Sequence, residues 1–161
     1  VRDIYAILRL RYDFVVVDTP PGFTAEVIAS IDASTDLVMV GMLDSLSLKN
    51  TKLGLETLEL MGYNPERIKL VLNRAGTRVG ISTTDVVGVI GREPDIFVPS
   101  DREIPRAVNE GVPILTAKSQ SEAAAAFRQL ASGYIDTPVF ATSSGEPQQE
   151  PRRRLFGRKA S

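Results

Sequence analysis

Residues 12–22 read Tyr12-Asp13-Phe14-Val15-Val16-Val17-Asp18-Thr19-Pro20-Pro21-Gly22. An apolar run ending in an aspartate and a stiff turn has the pattern of a strand buried in a parallel sheet. The paired prolines lack backbone donors, so they stop the strand and stiffen the loop after it. Gly22 then allows an unusual backbone angle. Ligands of open α/β sheets gather at the carboxyl ends of the strands. Asp18 is therefore a candidate to hold, through water, the magnesium of a bound nucleotide. Thr19, Pro20, Pro21 and Gly22 form a candidate switch, a rigid loop with one flexible joint beside a terminal phosphate. The plainer alternative is an aspartate that caps a helix or forms a turn. No stretch matches a glycine-rich phosphate loop followed by Lys-Ser or Lys-Thr.

Strand and helix patterns alternate outward from this segment, which predicts βα units on a mostly parallel, twisted sheet with helices on both faces. Residues 1–10 read as a helix, with Ile4, Ile7 and Leu8 on one face and no N-cap before it. That start reads as a chain entering partway through a domain. A short helix over 23–31 and a strand over 36–43 come next. An amphipathic helix over 45–61 stops at Gly62. A strand over 67–73 leads to a loop with two glycines, and Ser82 caps a helix ended by Gly91. A strand over 95–98 stops at Pro99. The helix over 102–110 holds Pro105 in its first turn. Ser119-Gln120-Ser121-Glu122 has the capping-box pattern and opens an alanine-rich helix to about residue 132. Residues 1–135 thus form one domain portion. Residues 136–161 shift to Pro, Ser, Gln and Glu without an apolar period, a disordered tail with a basic end.

The 161 residues suffice for one domain with a core, and 43% hydrophobic with 24% charged residues is ordinary for a globular chain. A formal net charge of −1 gives no overall field toward nucleic acid. Cysteine and histidine are both absent, which excludes disulfides, thiolate catalysis, zinc–thiolate sites and the commonest general base. Any metal must sit among oxygens, which suits magnesium. No apolar run approaches the roughly 20 residues needed to span a bilayer. The simplest compartment is the cytoplasm.

Two further strand ends carry candidates. Asn73 closes the strand over 67–73, followed by Arg74. Its amide offers a donor and an acceptor side by side, a match for an adenine edge. Taken alone, an asparagine there more often makes the turn after the strand. Pro99 and Asp101 follow the strand over 95–98. Proline there is by default a strand stop, and otherwise one wall of a base pocket.

The segments YDFVVVDTPPG (12–22), VLNRAGTRVGIS (71–82) and FVPSDREIPRAVNEGVPI (97–114), in this order and spacing, resemble the MinD/ParA family of deviant-Walker P-loop ATPases. The last is close to the CpaE/TadZ branch linked to pilus assembly. The resemblance covers residues 1 to about 135. It implies a protein that dimerises on ATP and hydrolyses it slowly, with stimulation by a partner in a pilus, secretion or positioning system. It also implies that Asp18 is the Walker-B carboxylate, touching magnesium indirectly, and that Thr19 to Gly22 are the switch. Asn73 and Arg74, with Pro99 and Asp101, fall on the adenine and ribose side. The family's KGGxGKT-like loop and first switch aspartate have no counterpart in these residues. This polypeptide alone is therefore expected to bind ATP poorly and not to hydrolyse it.

The tail carries Arg152, Arg153, Arg154, Leu155, Phe156, Arg158 and Lys159. The plain reading is a solvated terminus. The functional one is a weak contact with an anionic membrane at its inner face, since each basic residue near such a surface contributes about 1 kcal/mol. The main rival function is a scaffold or localisation protein that kept the fold without catalysis. A DNA-partition ATPase fits less well, because the helix over 123–132 has only Arg128 as a basic residue. A bacterial tyrosine kinase would end in a tyrosine-rich tail, and iron-protein reductases need cysteines.

Overall fold

The computed structural model of this chain describes residues 2–76 and 80–135. The tail over 136–161, with its basic cluster, lies outside the described residues. In chain order the elements are α1 (Arg2–Arg9), α2 (Ala25–Ala33), β1 (Leu37–Met42), α3 (Ser45–Leu60), β2 (Ile68–Ala75), α4 (Thr83–Ile90), β3 (Ile96–Pro99), α5 (Glu103–Glu110), α6 (Ile114–Ala117) and α7 (Glu122–Ile135). The strands form one parallel sheet in the order β1-β2-β3. Leu37 to Met42 stand opposite Ile68 to Asn73 in unbroken register.

Local chemistry explains where the helices begin and end. The Asp44 carboxylate accepts the Ser47 N–H at 2.8 Å and starts α3. Ser82 and Asp85 form a reciprocal capping box at the start of α4. The Ser82 hydroxyl, then its backbone N–H, hold the Asp85 carboxyl below the usual range. Gly91 (φ 87°) ends α4 and Gly111 (φ 67°) ends α5, both in the left-handed conformation that glycine adopts without a Cβ clash. Pro105 lies in the first turn of α5, where its missing N–H has no helical partner to lose. At α7 the capping residue is Ser121, which accepts the Ala124 N–H at 3.1 Å, rather than Ser119. The short helix α6 has no counterpart in the sequence pattern.

Side chains alternate across the strands and build two layers. Leu70 and Leu72 of β2 pack with Leu48 of α3 and with Val86 and Ile90 of α4. On the same side, Val27 and Ile31 of α2 pack with Leu58 and Ile68. Val71, Ile96 and Val98 point to the other face, against Ala123 and Ala126 of α7. The alanines of α7 let the helix approach the sheet closely, and Phe127 and Leu130 extend the contact. Each fully buried leucine, such as Leu58, Leu70 or Leu72, stabilises the fold by about 1.5–3 kcal/mol.

The sequence pattern over 12–22 predicts a buried strand, and here the structure differs. Residues 14–20 are in no strand or helix, and Val16 is 93% exposed. A strand needs a neighbour to satisfy its N–H and C=O groups. No described segment forms a ladder with this one, and the sheet holds only β1, β2 and β3 among the described residues. The cover of β1 is also one-sided. Leu37 and Met39 pack against α2 and α3. Val38, Val40 and Met42, on the face that α7 covers farther along the sheet, stay exposed.

Candidate functional site at the carboxyl rim of the sheet

The carboxyl ends of the three strands form one rim. At β1, the Leu43 N–H donates to the Asn73 carbonyl at 3.2 Å, and the Met42 N–H donates to the Ser47 hydroxyl at 2.8 Å. At β2, the Asn73 side-chain oxygen accepts the Arg74 N–H at 2.8 Å. Arg74 has φ 55° and is the one non-glycine residue with positive φ among the described residues. Register explains why. Leu72 stands opposite Phe97 and Ala75 opposite Pro99, so β2 carries one more residue than β3 over that interval. This is a β-bulge, which bends the strand and re-aims its side chains. A bulky residue in the left-handed region costs on the order of 1–2 kcal/mol, and such strain gathers at ligand sites.

At β3, Pro99 lies within the strand, paired with Ala75, rather than just beyond it. Its ring occupies a rim position where no further donor is required. Asp101 is half-buried, and its carboxylate accepts the Glu103 N–H at 2.9 Å, which fixes the entry into α5. Next to Pro99 lies an open depression of about 390 Å³, walled by Ala75, Phe97 and Pro99 on one side and Glu122, Ala125 and Gln129 of α7 on the other.

Asn73, Arg74, Pro99 and Asp101 therefore share the rim. The segment from Asp18 to Gly22 is exposed, and no hydrogen bond or ion pair ties Asp18 to that rim among the described residues. Gly22 does take the positive φ expected of it, at 93°. The Asn73 amide oxygen is engaged by the turn, and its NH₂ group makes no bond to a described residue, so one half of its recognition capacity remains. Among the described residues no cluster of three His, Cys, Asp or Glu side chains could hold a metal. A lone carboxylate such as Asp18 suits a magnesium ion held through water, not a cage of protein ligands. Asp44 is a rim residue absent from the sequence-derived candidates. Its signal was there, an Asp-Ser pair directly after an apolar strand.

No family model matches the chain. Among curated proteins it is 28% identical over 149 residues to the chloroplastic septum site-determining protein minD homolog of Arabidopsis thaliana, covering 89% of this chain and 44% of that one. Among solved structures, the ParA family ATPase from Chlorobium tepidum TLS superposes with a TM-score of 0.74 at 22% identity, over 81% of this chain and 55% of that one. The chain is similar to the MinD/ParA ATPases. The MinD of Pyrococcus horikoshii OT3, solved with Mg-ADP, gives a TM-score of 0.72 at 23% identity, over 89% of this chain and 58% of that one. The parallel sheet with its flanking helices is thus the MinD/ParA fold. The chain spans about half the length of the relatives it matches. Among its described residues, no helix is long and apolar enough to cross a membrane.

Proposed function

We propose that this chain is the base-binding part of a MinD/ParA-like ATP-binding protein of the CpaE/TadZ kind. Such a protein dimerises on ATP and serves the localisation or assembly of pilus or secretion machinery. The observation that carries this reading is the bulge at Asn73 and Arg74 beside Pro99 and Asp101. A strained strand end with a half-free amide is a costly way to make a simple turn, and a base site would explain its presence. The residues suit the parts they would take. Asn73 would meet the purine edge with its NH₂ group. Pro99 would supply an apolar wall, and Arg74 and Asp101 the ribose side. Asp18 would act through water on magnesium, with Thr19 to Gly22 as the switch. A phosphate-binding loop is not among these residues and would belong to polypeptide outside them. The basic cluster over 152–159 would add a weak contact with anionic lipid at the inner face of the membrane.

The test uses a protein that contains this chain together with a phosphate-binding part. Titration with ATP and GTP should show an adenine preference that Asn73→Asp reduces by about 1–3 kcal/mol. Asp18→Ala should slow magnesium-dependent hydrolysis more than it weakens nucleotide binding. An unchanged ATP-over-GTP preference removes Asn73 from the site. Binding without any turnover leaves the fold as a scaffold that has kept its ligand.

A further inference from the structure

α3 is apolar on two opposite sides. Leu48, Leu55 and Leu58 face inward, in the layer shared with α2 and α4. Leu46, Leu53 and Leu60 face outward and are 69%, 63% and 89% exposed. Surface leucines scattered singly need no explanation. These three recur every seven residues, close to two helical turns, so they stand on one line along the whole of α3. A helix with apolar residues on opposite sides has the pattern of one covered on both. α2 and α4 already flank α3 on the sheet, and among the described residues nothing covers the leucine line.

The charges beside that line are ordered. Lys49 and Lys52 come first and Glu56 and Glu59 follow, all exposed and all on the same flank. The other flank carries Asn50, Gly54 and Thr57 and has no charge. Within the helix Lys52 and Glu56 approach only to 3.9 Å, and both stay about half exposed. One flank thus has a basic half and an acidic half, with Leu53 near the midpoint.

We propose that the outer face of α3 pairs with α3 of a second copy of this chain, antiparallel, with Leu53 on the two-fold axis. Leu46 of each copy then lies opposite Leu60 of the other. A two-fold contact of this kind needs a self-complementary surface. In an antiparallel pair each flank faces its own equivalent, so Lys49 and Lys52 of one copy meet Glu56 and Glu59 of the other. In a parallel pair the charged flank would face the uncharged one, and no ion pair would cross the contact. The order of the charges therefore selects the antiparallel arrangement. A contact made by one helix falls below the roughly 1,200 Å² of a standard interface, so the pair is weak and depends on protein concentration. It uses neither the rim nor a nucleotide, and it is independent of whether the rim binds one.

Sedimentation equilibrium of the 161-residue chain without nucleotide should show a monomer–dimer equilibrium. Leu53→Arg should weaken it at least about 10-fold, because like charges then meet on the axis. Its thermal melt should match the parent's, since the side chain is exposed. A charge exchange gives the second readout. The Lys49→Glu, Lys52→Glu variant should not pair with itself, nor should the Glu56→Lys, Glu59→Lys variant, while a mixture of the two should pair about as tightly as the parent. The absence of cysteine permits a third. Leu46→Cys and Leu60→Cys should form a disulfide efficiently when mixed and neither alone, because equivalent helix ends lie about 21 Å apart in the antiparallel pair. Efficient disulfides within each single variant would mean a parallel pair. Unchanged association of Leu53→Arg would mean that another face joins the copies, and a chain that stays monomeric across the series would mean that α3 does not bind itself. Any of these three results overturns the proposal.

Discussion

The Asn73 side-chain oxygen accepts the backbone N–H of Arg74 at 2.8 Å, and the bond closes the bulge that ends β2. Turn formation and base recognition thus draw on different atoms of one amide, and substitutions can separate them. Asn73→Ala removes the acceptor and should lower stability by about 1 kcal/mol in urea denaturation. Asn73→Asp keeps the acceptor and should stay within about 0.5 kcal/mol of the parent. Equal losses for both variants would show that the NH₂ group, not the oxygen, holds the strand end.

Arg74 is held at φ 55° by this arrangement. Glycine relieves the Cβ clash of the left-handed conformation but loses more chain entropy on folding, so Arg74→Gly should gain only about 0.5 kcal/mol. Thermal melts would register this as a rise of a few degrees. A clear drop in melting temperature would show that the guanidinium contributes contacts that outweigh the strain.

The packing of α3 on β1 depends on a missing side chain. A Cβ on Gly41 would lie 2.5 Å from the Thr51 hydroxyl oxygen and 3.1 Å from Leu72 Cδ2. Gly41→Ala should therefore destabilise the fold by about 1–3 kcal/mol through overpacking. Adding Thr51→Ala removes the closest atom and should recover part of the loss. Additive losses in this double-mutant cycle would rule out the clash as the cause.

Asp95 joins the starts of β2 and β3. Its carboxylate accepts the Leu70 N–H at 2.7 Å and pairs with Arg92 at 3.0 Å and Lys69 at 3.4 Å. Partial burial pushes its carboxyl upward, but the Leu70 bond and the two cations together hold it below its ordinary 3.8. A carboxyl depressed in the fold contributes stability that is complete above its unfolded value and is lost as pH falls through the folded one. Urea midpoints should thus decline below about pH 4, and more steeply in the parent than in Asp95→Asn. Above pH 6 the substitution should cost about 1.5–3 kcal/mol, the scale of hydrogen bonds to a charged acceptor. Parallel pH profiles for the two proteins would remove Asp95 from the acid response.

Much of the fold was legible because its signals are local. Apolar runs bounded by Gly, Pro and capping residues anticipated β1 over 36–43, where the strand is Leu37–Met42, and α3 over 45–61, where the helix is Ser45–Leu60. Ser82 and Gly91 marked both ends of α4, since a cap depends only on residues within one turn. Asn73, Arg74, Pro99 and Asp101 were readable as rim residues from the ends of their apolar runs, because parallel strands deliver their ends to one side, although all but Asp101 lie inside the observed strands. The bulge was not readable. It arises from a one-residue mismatch between β2 and β3, and register belongs to a pair of strands.

Residues 12–22 mark the boundary between the two kinds of information. The sequence by itself determined that Phe14 to Val17 favours extended structure, that Pro20 and Pro21 end it, and that Gly22 turns the chain, because these preferences reside in single residues and their immediate neighbours. Only the tertiary structure decided that the run would remain exposed while β1, β2 and β3 closed their ladders. A helix satisfies its backbone from within, whereas a strand depends on a neighbour that its own sequence cannot supply.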